Sequence, residues 1–347
     1  MSPRSWLWLA WLVLATSAPD ASARPKTVRR TGVCDTLLPL GLKFRFGTGS
    51  RPAAAPTLGP RGEVYVGTVD GIVHALGPDG SYRWSYTLRG PVIGRALVDS
   101  EGRLLVPTQR SIYALRPDGS LSWEFGSPVE LQGDLVRDGR GKIRFASKDG
   151  RLFEFDERGA LIRNVRASYP WSALPVALPD GSIAGGSRSG LVLVSKATGV
   201  IRYELERAVE QVLACPGGSV CAIAGGTLEV LGDGSGFRTP ARRAASRGEF
   251  LAVVSDERTL SLYRGALRRP LYQLVLPDTI SAAPALSADG TAYVPLAGGA
   301  LLAVVAQGRI RGCEQVAHSE LGTPVLAADG GVLVSGREGL IAALRGE

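Results

Sequence analysis

The sequence predicts an all-β fold, an eight-bladed β-propeller of four-stranded antiparallel blades, and three observations carry that expectation. A short apolar anchor recurs eight times along the chain. Asp-Gly and other Gly-rich turns separate apolar runs of strand length. The last unit lacks a fourth strand, which the beginning of the chain can supply.

The anchors end at Leu76, Leu115, Phe155, Val194, Val230, Tyr263, Val304 and Leu344, so they stand 39, 40, 39, 36, 33, 41 and 40 residues apart. Four short strands in a unit of about 40 residues is the pattern of a propeller blade. The second unit shows the grammar: "RALV", the turn "DSEG", the strand "RLLVPT", then "SIYAL", a Pro-Asp-Gly turn, and "LSWEF". Asp-Gly between alternating apolar runs favours a hairpin, because the turn needs positive φ. The final unit ends at "GLIAALRGE" without a fourth strand. The segment "LKFRFGT", Leu42–Thr48, has fourth-strand character and no unit of its own. It is expected to pair beside Ile341–Leu344, closing the ring and removing the open edges that invite aggregation.

Ahead of the propeller (42–347) stand a lead (24–41) and a segment 1–23 with the layout of a signal peptide. That segment has Arg4, the apolar run Trp6–Ala15 and the small-residue sequence Ala21-Ser22-Ala23. A ten-residue run is too short for a hydrocarbon core about 30 Å thick. The expectation is an exported protein, periplasmic or extracellular, with no transmembrane segment after cleavage.

Export makes oxidised cysteines reasonable. Cys215 and Cys221 flank "PGGSV" and can face each other across a hairpin, which leaves Cys34 and Cys313 as the second pair; four buried thiols are the alternative. No metal site is expected, since the cysteines lack C-x2-C spacing and only His74 and His318 could join them. The net charge of +8 comes from 35 Arg and five Lys. No Lys/Arg block is interleaved with aromatics, so a nucleic acid is not the expected partner, whereas an anionic polypeptide is.

The stretch "VYVGTVDGIVHALGPDGSYRW" resembles the PQQ-like β-propeller repeat nearly position by position, and the resemblance runs from about residue 42 to 345. It is weakest at "SVCAIAGGTLEVLGDGSG" and "FLAVVSDERTLSLYRG". The repeat's tryptophan is present as Trp84 and Trp123, with Phe46 and Tyr203 standing in elsewhere. The resemblance implies eight blades. It also points to two kinds of relative. Quinoprotein dehydrogenases hold a quinone with a calcium ion, an Asp base and commonly a vicinal disulfide. This chain has no adjacent cysteines, and its one asparagine, Asn164, falls on an outer strand. No cofactor is therefore expected, and a quinone-dependent or other enzyme working in the propeller mouth is the alternative reading. The second relative is the non-catalytic assembly scaffold of the outer-membrane β-barrel insertion machinery, whose lipid-attachment cysteine is missing here. A carbohydrate- or envelope-associated structural module is a further alternative.

No catalytic residues are assigned. "GGSRSG" places Ser187 and Ser189 in a strand-to-strand turn, not in the strand-to-helix elbow that activates a serine. His318, near Glu320, is the better placed of the two histidines for acid–base work. The surface is more informative. Turns between second and third strands share one propeller face with the interblade loops. That face collects Arg110, Lys148, Arg188, Arg258 and Arg337 from five of the eight turns, together with Arg247 and the loop "SYPWSA" carrying Tyr169 and Trp171. Arg and aromatic residues dominate binding hot spots. This face is the expected docking surface for a protein or peptide, acidic in character, of the cell envelope. The opposite face collects Asp79, Asp118, Asp180 and Asp289, which turn chemistry explains without a ligand.

Overall fold

The computed structural model describes residues 32–156, 158–166, 170–196, 199–265 and 267–345. The expected signal segment 1–23 and Tyr169 lie outside these. Strands alternate with positive-φ glycines at the turns, and the strands assemble into eight four-stranded antiparallel sheets. Each sheet is one blade of a ring.

Blade 1 comprises Thr57–Leu58, Val64–Gly67, Ile72–Leu76 and Tyr82–Thr87. Blade 2 spans residues 97–126. Blade 3 comprises Leu131–Arg137, Ile143–Ser147, Arg151–Phe155 and Leu161–Arg166, and blade 4 comprises Trp171–Ala177, Ile183–Ser187, Leu191–Lys196 and Gly199–Glu204. Blades 5, 6 and 7 span residues 209–240, 243–275 and 285–315. Blade 8 has three C-terminal strands, Val325–Leu326, Val332–Gly336 and Leu340–Leu344. Its fourth strand is Leu42–Gly47, which runs antiparallel to Leu340–Leu344 with Phe46 opposite Ile341. Ring closure by the N-terminal strand is therefore as the sequence predicts.

The core lies in the seams between blades. One buried cluster joins Val73 and Ala75 of blade 1 to Leu104, Val106 and Leu115 of blade 2. Second and third strands are buried along most of their length, while fourth strands form the exposed perimeter. Successive first strands meet around the axis and are tied by polar side chains. Thr57 donates to the Ala96 carbonyl at 2.8 Å, Ser172 to Val209 at 2.6 Å and Ser281 to Leu321 at 2.7 Å. Gln211 bonds both the amide and the carbonyl of Ala244.

Aromatic rings on the perimeter key each blade to the next. The Trp84 ring lies over Gly119, whose φ of +87° belongs to the Asp-Gly turn of blade 2. A Cβ at that glycine would stand 2.7 Å from the ring, so the turn must be glycine for the ring to seat. The Trp84 indole donates to the Pro117 carbonyl at 2.9 Å. Trp123 covers Gly159 of blade 3 in the same way, and Tyr203 covers Gly232. At the closing seam the ring over Gly80 is Phe44, not the expected Phe46; Phe46 packs edge-on against His74 instead.

The cysteines are paired as Cys34–Cys313 and Cys215–Cys221. The first bridge fastens the lead to the outer strand of blade 7, where the Cys313 amide also donates to the Leu38 carbonyl at 2.8 Å. The chain then crosses to blade 8 and closes the ring. Among the described residues no helix is long and apolar enough to cross a membrane.

Candidate docking face and the cleft between blades 3 and 4

Arg110, Lys148, Arg188, Arg258 and Arg337 all occupy turns between second and third strands, so the topology brings them to one face. Their charges are unequally available. Lys148 is paired with Glu130 at 2.6 Å and Arg337 with Glu320 at 2.7 Å. The Lys148 ammonium holds the Glu130 carboxyl below its ordinary pKa. Arg258 donates to the Leu276 carbonyl at 2.8 Å and Arg110, near Glu130, to Pro128 at 3.4 Å; neither guanidinium forms an ion pair among the described residues. Arg188 is exposed at the tip of its turn in blade 4. Exposed pairs of this kind contribute little to stability. They do lower the field that the face presents.

Two placements differ from the sequence expectation. Trp171 does not sit in an interblade loop; it opens the first strand of blade 4, opposite Ser187. Arg247 belongs to the opposite face, because the first strand of blade 6 begins at Arg243 and Arg247 pairs with Phe250 across the next turn. On that opposite face the aspartates cap turns. Asp79 accepts the Ser81 hydroxyl at 2.6 Å and its amide at 3.0 Å, and Asp118 accepts the same groups of Ser120. These bonds hold both carboxyls below their ordinary pKa.

The candidates for chemistry do not come together. Glu320 is engaged by Arg337, and His318 approaches only Glu338, through its backbone amide. Ser187 and Ser189 bond one another at 2.8 Å, and Ser187 accepts the Leu191 amide in its turn. His74 is held in the closing seam, where burial outweighs the neighbouring Asp70 and pushes the imidazole below its ordinary pKa. Among the described residues no group of three or more His, Cys, Asp or Glu is placed to hold a metal ion.

Sequence reasoning missed a cleft of about 280 Å³ between blades 3 and 4. Blade 3 contributes Leu152, Glu154, Arg163 and Val165; blade 4 contributes Trp171, Ile183, Gly185 and Val200 among others. The Trp171 ring lies against Gly185, where a Cβ would come within 2.8 Å of it. Glu154 lies within the cleft, bound by Arg144 at 3.1 Å and near Arg163 at 3.6 Å. The flanking fourth strands expose Leu161, Ile162, Val165, Val200 and Ile201. A signal was available: set beneath "LSWEF" of blade 2, "LIRNV" puts Arg163 where Trp123 stands and Val165 where Phe125 stands.

The repeat and the closed ring agree with a comparison of blades. Residues 43–137 match the family model described as outer membrane protein assembly factor BamB, a PQQ-type repeat model. The chain is an eight-bladed propeller that resembles that PQQ-like family over these residues. The matched segment covers the closing strand, blades 1 and 2, and the first strand of blade 3. Among solved structures, BamB from Moraxella catarrhalis superposes with a TM-score of 0.70 at 14% identity, covering 88% of this chain and 99% of the other. Saccharomyces cerevisiae Sqt1 gives 0.72 at 14%, covering 88% and 98%. The virginiamycin B lyase of Staphylococcus aureus, solved as a catalytically inactive variant with quinupristin, gives 0.60 at 12%, covering 87% and 98%. At these identities this propeller shares a fold with all three, and function must be argued from its own residues. No curated protein sequence matches the chain.

Proposed function

We propose that this propeller is an exported, non-catalytic scaffold that docks a polypeptide partner of the cell envelope on the loop face bearing Lys148, Arg188 and Arg258. The observation that carries this reading is the match of residues 43–137 to the model of an assembly factor. Three features of the chain support it. Arg188 and Arg258 stand on one face without carboxylate partners among the described residues, so a docking acidic segment meets unneutralised charge. Polar side chains of the first strands are engaged in tying blade to blade, as Gln211 and Ser281 are, in place of converging on a reacting centre. Two disulfides suit an oxidising compartment such as the periplasm or the exterior. Charge of this kind chiefly accelerates encounter and selects partners.

The test is capture of envelope proteins by the purified chain, set against a Lys148→Glu/Arg188→Glu/Arg258→Glu variant. A defined polypeptide retained by the native chain and lost by the variant, more readily in high salt, supports the reading. Retention that is equal for both overturns the loop face as the docking surface.

A further inference from the structure

We propose that the cleft between blades 3 and 4 receives a large apolar side chain from an extended, carboxylate-bearing segment of a partner protein. The argument begins with strand register. In blades 1 and 2 a tryptophan on the fourth strand stands opposite an alanine: Trp84 opposite Ala75, Trp123 opposite Ala114. Two residues on, Tyr86 and Phe125 stand opposite Val73 and Ile112. The closing seam repeats this with Phe44 opposite Ala343 and Phe46 opposite Ile341. In blade 3 the two positions hold Arg163 opposite Glu154 and Val165 opposite Leu152. Both rings that fill the seams after blades 1 and 2 and the closing seam are absent from this one.

What those rings cover is uncovered here. Gly80, Gly119 and Gly159 each lie beneath an aromatic ring, whereas Gly199, at the corresponding turn of blade 4, has nothing within 4 Å of its Cβ position. In blade 5 the seam toward blade 6 does hold a ring, Phe237, packed edge-on against Tyr263. Among the described residues the blade 3–4 seam has no such ring, and a cleft lies there.

The walls of the cleft suit an aromatic or large aliphatic side chain. The Trp171 ring forms one wall, lying against Gly185. Val165 and Val200 stand at the rim, 45% and 56% exposed. The rim is positive: Arg166 and Arg202 line the cleft, exposed and with no carboxylate partner among the described residues, while the Glu154 charge is held by Arg144 and Arg163. An apolar slot flanked by unpaired guanidinium groups selects an apolar side chain flanked by carboxylates. This inference rests on the scaffold reading of the chain, but not on the loop face as its docking surface.

The experiment uses the full chain and the peptide acetyl-Glu-Glu-Trp-Glu-Glu-amide, with a Lys-flanked and an Ala-centred peptide as controls, read by calorimetry. Native protein should bind the first peptide, and binding should weaken by about tenfold or more in Glu154→Ala/Arg163→Trp, which rebuilds the plug of blades 1 and 2. Arg202→Glu, an exposed change that leaves the seam intact, should weaken it by about tenfold as well. Arg188→Glu, on the loop face, reports whether the peptide docks there instead. The proposal is overturned if native protein does not bind, if the plugged protein binds equally well, or if the Lys-flanked peptide binds as tightly. Loss on Arg188→Glu with retention in Arg202→Glu would place the peptide on the loop face and overturn the cleft while sparing the scaffold reading.

Discussion

Blades 1 and 2 and blades 3 and 4 are built from the same four-strand unit, yet they meet their neighbours differently. Between blades 1 and 2, Trp84 seats on Gly119 and its indole reaches Pro117. Between blades 3 and 4, the corresponding arginine turns to a glutamate on its own blade, and the next turn is left bare. The pairs differ in where their interaction energy falls. An aromatic ring bonds one blade to the next, whereas an Arg–Glu pair within a sheet stabilises that sheet and leaves the seam unfilled. A propeller can therefore keep its ring shape while one seam becomes a surface.

The largest effect should separate the two seams directly. Trp123→Ala removes a ring packed on Gly159 and should lower unfolding free energy by about 3 kcal/mol, the scale of a large aromatic truncation. Arg163→Ala removes only an exposed guanidinium near Glu154 and should change it by less than about 1 kcal/mol. Urea unfolding of both variants checks the contrast, and equal losses would break it.

An effect of similar size is expected at the far side of the ring, where a covalent link reinforces the seams around the closure. Replacing Cys34 and Cys313 together by serine should cost about 2–4 kcal/mol, because that bridge constrains 279 residues of unfolded chain. The bridge between Cys215 and Cys221 spans only six residues, so its removal should cost less. Thermal unfolding of the two serine double variants in parallel gives the comparison.

The closing seam adds a dependence on pH. Burial beside Phe46 depresses the His74 pKa below its ordinary 6.5. The unfolded chain therefore takes up this proton first as pH falls. The stability associated with neutral His74 is complete above pH 6.5 and is lost as pH drops through that value toward the lower folded one. Between pH 7.5 and about 5.5 the melting temperature should fall less for His74→Leu than for the native chain. Parallel slopes would show that the seam does not sense the imidazole.

The ring, its blade count and its closure were legible because period and turn chemistry are local signals. Asp118-Gly119 announces a hairpin wherever it lies, and "LKFRFGT" declares a fourth strand with no blade of its own. Phe44 and Phe46 could not be told apart, since alternate residues share a face and only a register shift between Leu42 and Phe44 decides which ring reaches Gly80. Trp171 falls between recognisable strands in the repeat and so reads as an interblade residue, while the strand it opens is defined by pairing with Ser187. The ion pairs of Lys148 and Arg337 are invisible in sequence because their partners lie 18 and 17 residues away in the preceding interblade segments. The cleft was hidden for a related reason. It is an absence of rings at one repeat, and absence shows only when the fourth strands are aligned with one another.

The strand Leu42–Gly47 has a consequence for how the molecule is made. Its partner, Leu340–Leu344, is the last strand of the chain, so a ribosome delivers the two in opposite order from their need for each other. During synthesis the first strand must wait, unpaired, while seven blades are added behind it. The loop-closure penalty for such a wait grows only logarithmically with chain length, so the latch is thermodynamically inexpensive. It is slow for the same topological reason that all distant pairings are slow. The closed ring can form only after Leu340–Leu344 has emerged, which makes the arrival of that strand, and not of any earlier blade, the event that shuts the circle.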